Sequence, residues 1–163
     1  MKIEFRESEH RNPIESYVSL SEWEMEARIL TDEGPVEAFN EGYFDTWIWT
    51  FFISCLAYLP EILTGEEVKI QPDDNPWDLV VRSSEHKIEL FIDTGVRGGR
   101  GSNAKVSRSE FAEGVFDGTE RFLTYIQSAR PDWVGSRDYE LLDNVLMQRK
   151  EWYNSVFSRD EIP

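Results

Sequence analysis

The run TWIWTFFISCLAYLP, residues 46–60, is the longest uncharged stretch of the chain and the strongest constraint on its fold. Its fifteen residues are fewer than the roughly 20 that a helix needs to cross a bilayer. Asp45 and Glu61 close the run on either side. We therefore expect a buried core helix in a soluble protein, with the other elements arranged around it.

Signals at both ends of this run predict where the helix begins and ends. Asp45 is a suitable N-cap for a helix that starts at Thr46, because its carboxylate can accept a hydrogen bond from the first turn. Pro60 is expected to kink or restart the helix, since proline lacks a backbone donor. Gly65 is a natural stop, because glycine readily adopts the left-handed conformation of a C-cap.

Alternating apolar and charged residues predict strands on both sides of this helix. Residues 2–7 indicate one short strand. SEWEMEARIL, residues 21–30, indicates a second with one buried and one exposed face, although its residue types also suit a helix. After the helix, three short alternations separated by short turns predict antiparallel hairpins. They are centred on Val68 and Ile70, on Trp77, Leu79 and Val81, and on Ile88, Leu90 and Ile92.

The C-terminal third of the chain predicts two helices. Ser107 and Glu110 form an S-x-x-E capping box, a fairly specific helix start. Pro131 should end that helix, and a last helix should run from about Asp138. The predicted order is β-β-α-β-β-β-α-α. We expect one α+β domain over 1–163, with a twisted antiparallel sheet of about five strands and three helices packed mainly on one face.

A glycine-rich segment, VRGGRGSNAKVSR at 96–108, is the one basic stretch in an acidic chain. It lacks the Gly-Lys-Ser/Thr of a phosphate-binding P-loop. Its match to G-x-G-x-x-A at 99–104 lies too far from the preceding strand for a dinucleotide site. We predict a flexible loop over 95–104 and no bound cofactor.

Residues suited to catalysis or metal binding occur without a recognisable pattern. The single cysteine, Cys55, lies in the apolar run, where a thiol is usually inert, and it cannot form an internal disulfide. A reducing, cytoplasmic compartment suits such a chain. His10 and His86 are the only imidazoles, and neither adjoins an activating motif. The acidic turn at 73–78 lacks the spacing of a calcium loop. We therefore predict no catalytic residue and no metal ligand.

Acidity is the strongest global signal. The chain has 32 acidic and 17 basic residues, a formal net charge of -15. Such a surface repels nucleic acid and anionic membranes and attracts basic partners. If 22–29 is a strand, its glutamates form a ridge on the exposed face, which is either simply solvated or a docking surface. The predicted partner-binding residues are Glu22, Glu24 and Glu26 of this ridge, the turn residues Asp73, Asp74 and Asp78, and the partly exposed aromatics Trp133 and Tyr139.

In length, acidity, lack of a catalytic motif and sheet-plus-helix layout, the whole chain resembles the small acidic immunity proteins of bacterial toxin systems, including contact-dependent growth inhibition. The resemblance is one of type, and no family motif assigns roles to particular residues. It implies a cytoplasmic inhibitor that binds a cognate toxin tightly, often a nuclease with a basic cleft. A carboxylate-rich surface would occupy such a cleft with fast, salt-dependent association.

Two other functions remain open at this point. One is an enzyme or ligand-binding domain whose site lies near the glycine-rich loop, which would act as a lid. The other is a structural or regulatory subunit. Self-association is also open, because the unpaired edge of a small sheet can pair with another chain.

Overall fold

The fold is an α+β arrangement of two antiparallel sheets and four helices. The structure is a computed structural model, and it describes residues 1–8, 14–36, 43–71, 78–84, 86–93 and 103–157. The strands are β1 (Lys2–Arg6), β2 (Glu24–Thr31), β3 (Gly34–Pro35), β4 (Phe44–Trp47), β5 (Val68–Ile70), β6 (Asp78–Ser84), β7 (Lys87–Asp93) and β8 (Ala104–Ser107). The helices are α1 (Ile48–Ala57), α2 (Leu59–Thr64), α3 (Arg108–Ala129) and α4 (Arg137–Val156). Short 3-10 turns span Ile14–Ser16, Leu20–Glu22 and Pro131–Trp133.

The first sheet is built around β2. β1 pairs along one side of β2, with Ile3 opposite Ile29. β3 and β4 pair with opposite ends of its other side, so Ala27 stands between Phe5 and Phe44. The apolar residues of these strands share one face, as the alternation in the sequence predicts, and that face is buried.

The second sheet is a meander in the order β5-β6-β7-β8. Val81 lies opposite Leu90, and Ile88 lies opposite Val106. These four side chains are buried on the face that joins the main core. β8 leads directly into α3, so α3 connects the second sheet to the first.

α3 packs across β1 at two glycines. A Cβ atom at Gly118 would lie 3.0 Å from a ring carbon of Phe52 and 3.1 Å from the Cβ of Ile3. Such distances are shorter than ordinary carbon contacts, so the absence of a side chain lets helix and strand approach closely. One turn earlier, Gly114 lies against Met1 in the same way.

α4 lies beside α1 and runs in the same direction. At one end, the indole Nε1 of Trp49 donates a hydrogen bond to the carbonyl of Asp138 at 2.9 Å. At the other end, Nε of Arg149 donates to the carbonyl of Leu56 at 3.0 Å. Arg149 thereby satisfies a carbonyl that the end of α1 leaves without an intrahelical donor.

Phe122 of α3 is the centre of an aromatic cluster in the core. Its ring is stacked on Phe52 at 5.4 Å, meets Phe5 edge-to-face at 5.6 Å and lies 5.9 Å from Trp23. Trp23 is in turn stacked on Tyr125. The cluster joins β1, the start of β2, α1 and α3, so the first sheet and two helices share one packed centre.

The α+β class and the antiparallel pairing are confirmed, but the single sheet is wrong. The number of strands is also larger than predicted. Two of the additional strands, β4 and β8, have four residues each, which is too short for an alternation to be recognised. The N-cap prediction at Asp45 is also wrong: Phe44–Trp47 pairs with β2, and α1 starts only at Ile48. Thr46 lies in that strand and faces the core.

The other helix signals are confirmed. Pro60 lies at the start of α2, and Gly65 ends it with φ 114°. Pro131 lies two residues after the end of α3 at Ala129, and α4 starts one residue before Asp138. The glycine-rich loop predicted over 95–104 lies outside the described residues except at its end, where Ala104 begins β8.

The capping box at the start of α3 is present in both directions. The hydroxyl of Ser107 accepts from the amide of Glu110 at 3.1 Å, and the carboxylate of Glu110 accepts from the amide of Ser107 at 2.7 Å. The latter bond is the main cause of a lowered pKa at Glu110. The box fixes the turn between β8 and the helix that covers the first sheet.

We expect Ser107→Ala to lower the free energy of unfolding by about 1 kcal/mol, since one amide of α3 loses its acceptor. Urea denaturation at neutral pH measures the change. Ser155→Ala is the control, because Ser155 is exposed and donates only to the carbonyl of Trp152. Equal stability of the two variants would show that the box contributes nothing.

Candidate functional site

The predicted glutamate ridge is not an exposed row. Glu22 lies in a 3-10 turn, and only Glu24 and Glu26 belong to β2. Glu26 is buried, with Nε of Arg6 at 2.5 Å from its carboxylate, and Glu24 accepts from the indole of Trp47 at 3.2 Å. The prediction of an exposed face is wrong here because β1 and β4 flank β2 and supply these partners. A role of the three glutamates in partner binding stays a prediction.

The rest of this sheet face is also neutralised by its own cations. Glu4 lies 2.6 Å from the ammonium of Lys2 and 2.7 Å from the guanidinium of Arg28. These hydrogen bonds, that of Lys2 first, hold the pKa of Glu4 below its usual value. The ring of Tyr43 lies under both Arg6 and Arg28, at 3.8 and 4.4 Å from their guanidinium carbons. A face with its charges paired in this way offers little unbalanced negative charge to a basic partner.

The predicted acidic turn is described at one residue. Asp73 and Asp74 lie outside the described residues. Asp78 begins β6, and the ammonium of Lys69 lies between it and Asp93, at 3.8 and 3.7 Å. Asp78 is therefore part of a loose surface ion-pair network.

Trp133 and Tyr139, predicted to be partly exposed, are buried. Trp133 lies in the 3-10 turn between α3 and α4, where its ring meets Trp23 edge-to-face and the guanidinium of Arg130 covers it at 3.8 Å. Tyr139 packs in the first turn of α4, and its hydroxyl accepts from the amide of Gln127 at 2.9 Å. The short loop folds back onto the core, so both side chains stabilise the helix pair, and their role in partner binding stays a prediction.

Potentially reactive side chains are dispersed. Burial raises the pKa of the Cys55 thiol to about 12, so the thiolate is disfavoured. His86 is exposed in the turn between β6 and β7, and His10 lies outside the described residues. Within the described ranges, no three His, Cys, Asp or Glu residues are grouped to hold a metal ion. None of the helices in those ranges has the length and apolar character needed to cross a membrane.

Glu89 is a strongly paired acid in the second sheet. It lies at the middle of β7, opposite Arg82 on one neighbouring strand and Lys105 on the other. Its carboxylate is 2.6 Å from Arg82 and 2.8 Å from Lys105, and its side chain is only 8% exposed. Hydrogen bonds from Lys105 and then Arg82 lower its pKa. The group thus stays ionised, and it ties three strands together.

Exposed carboxylates also lie on the two long helices. Glu113, Asp117 and Glu120 occupy one exposed line of α3, at spacings of four and three residues. Asp117 pairs with Arg121, and Glu120 pairs with Lys150 of α4. Glu140, Asp143 and Glu151 of α4 are exposed, and like Glu113 they form no ion pair within the described part of the chain.

Exposed apolar side chains accompany these acids. Of the six large ones in the described ranges, three lie on α4: Leu141, Met147 and Val156. Met147 is 54% exposed and shares a helical line with Glu140 and Glu151, at spacings of seven and four residues. We use the name acidic helix face for the following exposed residues of α3 and α4: Glu113, Asp117, Glu120, Glu140, Leu141, Asp143, Met147 and Glu151.

A signal for this face is present in the sequence. The 113–117–120 spacing is visible there, as is the mixture of acids with Leu141 and Met147. The polar side of an amphipathic helix is usually plain solvated surface, so the signal is weak by itself. Only the structure shows which of these carboxylates form ion pairs.

A cavity of about 500 Å³ lies on the other side of α3 from α4, beside β1. Its volume is within the range of small-ligand pockets, and it is open to solvent. It is lined by Glu4, Phe5, Tyr43, Arg121, Thr124, Tyr125 and Ser128.

Comparison of this chain with protein-family models, with curated proteins and with solved structures found no significant match.

Proposed function

We propose that this protein is an immunity-type inhibitor that binds a basic protein toxin through the acidic helix face. The observation that carries the proposal is the combination of unpaired carboxylates and exposed apolar side chains on α4. Acids alone would suit any solvated helix. An exposed methionine between two glutamates suits a protein interface, because interfaces are enriched in methionine and bury an apolar centre within a polar rim.

Charge complementarity defines the chemistry of the partner. The net charge of -15 attracts a basic protein over distances well beyond contact. A nuclease-type toxin presents cations that bind phosphate, and carboxylates on a rigid helix can occupy the same positions. The nucleic acid that such a toxin attacks lies in the cytoplasm. The proposal therefore includes inhibition in that compartment. Binding to nucleic acid or to anionic membranes is opposed by the same charge.

The proposed surface replaces the glutamate ridge as the main interface. Glu26 is buried against Arg6, whereas Glu140, Asp143 and Glu151 are exposed and form no ion pair with the described residues. Long helices also supply a rigid platform, which limits the entropy lost on association. The competing function, an enzyme or ligand-binding domain, places its site near the glycine-rich loop. The cavity described above is lined by β1 and α3 instead. Its ionised groups, Glu4 and Arg121, already form ion pairs, which does not favour a ligand-binding role for them.

The test measures association with a basic toxin domain, chosen from the genes adjacent to the one that encodes this chain. We expect the triple variant Glu140→Lys, Asp143→Lys, Glu151→Lys to lower the association rate constant at least about tenfold at low salt. We also expect the wild-type rate to fall steeply as the salt concentration rises.

The matched control reverses three exposed acids elsewhere: Asp32→Lys, Glu33→Lys and Glu66→Lys. Both triple variants change the net charge by the same amount. A difference between their association rates therefore reports the position of the charges. Equal losses in the two triple variants would place the interface elsewhere. If the toxin domain does not bind and co-expression does not protect cells from it, the inhibitor function is wrong.

A further inference from the structure

The outer strand of the first sheet has main-chain groups that pair with no other strand in the described structure. β1 pairs with β2 alone. On the far side of β2, the carbonyl of Ile29 accepts from the amide of Val36 at 3.0 Å, so it points away from β1. Ile3, which lies opposite Ile29, is therefore in a non-hydrogen-bonded pair, and its own amide and carbonyl point away from β2.

A hydrogen bond from α3 supports this orientation. Nη2 of Arg121 donates to the carbonyl of Ile3 at 2.5 Å. The Ile3 carbonyl at the free edge therefore already has a hydrogen-bond partner. Because the pattern repeats every second residue, the amide and carbonyl of Phe5 also face the free edge. No backbone partner for Phe5 occurs at that edge within the described residues.

The cavity lies directly at this position. Phe5 lines it, with Arg121, Thr124 and Ser128 on the α3 side. Two nitrogens of Arg121 are held by Asp117 and by Ile3, while its Nη1 makes no hydrogen bond to the described residues. The hydroxyls of Thr124 and Ser128 donate to carbonyls of their own helix, so their oxygens remain able to accept.

We propose that the free edge of β1 binds an extended peptide segment of a partner protein. One peptide residue exchanges two hydrogen bonds with the amide and carbonyl of Phe5, as in an antiparallel strand. Its side chain lies on the same sheet face as Phe5, toward Thr124 and Ser128 on α3. A carbonyl further along the peptide accepts from Nη1 of Arg121.

The charge of the chain argues against two other occupants. A second copy would bring together two chains of net charge -15 at a strand edge that α3 already flanks. An acidic peptide would meet the same repulsion. The occupant is therefore a neutral or basic extended segment. The site touches the acidic helix face only through the Asp117–Arg121 pair, and it can be tested without a toxin.

The experiment follows amide hydrogen exchange of β1 by NMR, with acetyl-Thr-Val-Lys-Val-Thr-amide as the probe. In the free protein, the Phe5 amide should exchange faster than those of Glu4 and Arg6, which bond to β2. At a peptide concentration about ten times the dissociation constant, exchange at Phe5 should slow about tenfold. The amides of Glu4 and Arg6 should change little.

Thr124→Trp is the blocking variant, because Thr124 is exposed and a bulky ring there fills the cavity. It should abolish the protection of Phe5 by the peptide. Gln148→Trp, at an exposed site on α4, is the matched control and should leave it unchanged. Slow exchange of Phe5 in the dilute free protein would mean that the chain covers its own edge. Protection that grows with protein concentration would show that a second copy binds the edge. If a saturating peptide gives no protection, the edge does not bind peptides. Each of these results overturns the proposal.

Discussion

Replacement of Phe122 by alanine is expected to lower the free energy of unfolding by about 3–5 kcal/mol. The side chain is completely buried, and its ring contacts Phe5, Phe52 and Trp23 from three different elements. Truncation removes the transfer free energy of the ring and leaves a cavity that rigid neighbours cannot fill. Against a typical total of about 5–15 kcal/mol, this loss is a large share.

Chemical denaturation monitored by circular dichroism measures the effect. Phe122→Leu should cost clearly less, because it fills much of the volume. Leu141→Ala is the control for loss of an apolar side chain on a helix surface, and it should change stability by about 0.5 kcal/mol or less. A loss below about 1 kcal/mol for Phe122→Ala would contradict the packed aromatic centre.

The double variant Arg82→Met, Lys105→Met should be destabilised by about 1–3 kcal/mol at neutral pH. Both substitutions remove the cations that pair with the ionised carboxylate of Glu89, whose side chain is 8% exposed. Adding Glu89→Gln should recover most of the loss, because an amide carries no charge to desolvate. The triple variant is thus the control. It shows how much of the destabilisation comes from the unpaired charge of Glu89 and how much from the lost packing of the two long side chains.

The destabilisation should disappear in acid. In the native protein, the two cations lower the pKa of Glu89 below its ordinary 4.5, so their stabilisation is complete above that pH and is lost as the pH falls through the lowered value. In the double variant, burial alone acts on Glu89 and raises its pKa, which favours the folded state at low pH. Denaturation curves at several pH values should therefore converge below pH 4.5. A difference that is constant with pH would assign the loss to packing.

Local signals in the sequence predicted the helix ends well. Ser107 with Glu110, Pro60 and Gly65 each act through their own backbone geometry, which does not depend on the rest of the fold. β4 shows the limit of such reasoning. Phe44–Trp47 forms a strand because it pairs with Glu24–Ala27 of β2. Its four residues alone do not indicate that pairing.

The candidate site was harder to predict for the same reason. Glu26 looked exposed because it alternates with apolar residues, yet Arg6, twenty residues earlier, covers it. Trp133 looked exposed because a loop surrounds it, yet that loop turns back onto Trp23. Charge balance at a surface depends on which side chains meet across the fold, so the sequence alone does not show that Glu140, Asp143 and Glu151 of α4 form no ion pair with the described residues.

The path of α3 bears on the order in which the chain folds during synthesis. β1 and β2 lie close in sequence and can pair as soon as both have left the ribosome, but their apolar face stays open. Arg121 reaches Ile3 across 118 residues, and Gly118 covers the same strand. Closing so long a loop costs entropy, and contacts of large sequence separation slow folding. β1 is synthesised long before α3 and is therefore among the last strands to be buried, so nascent chains that stop before α3 should depend on chaperones to protect it.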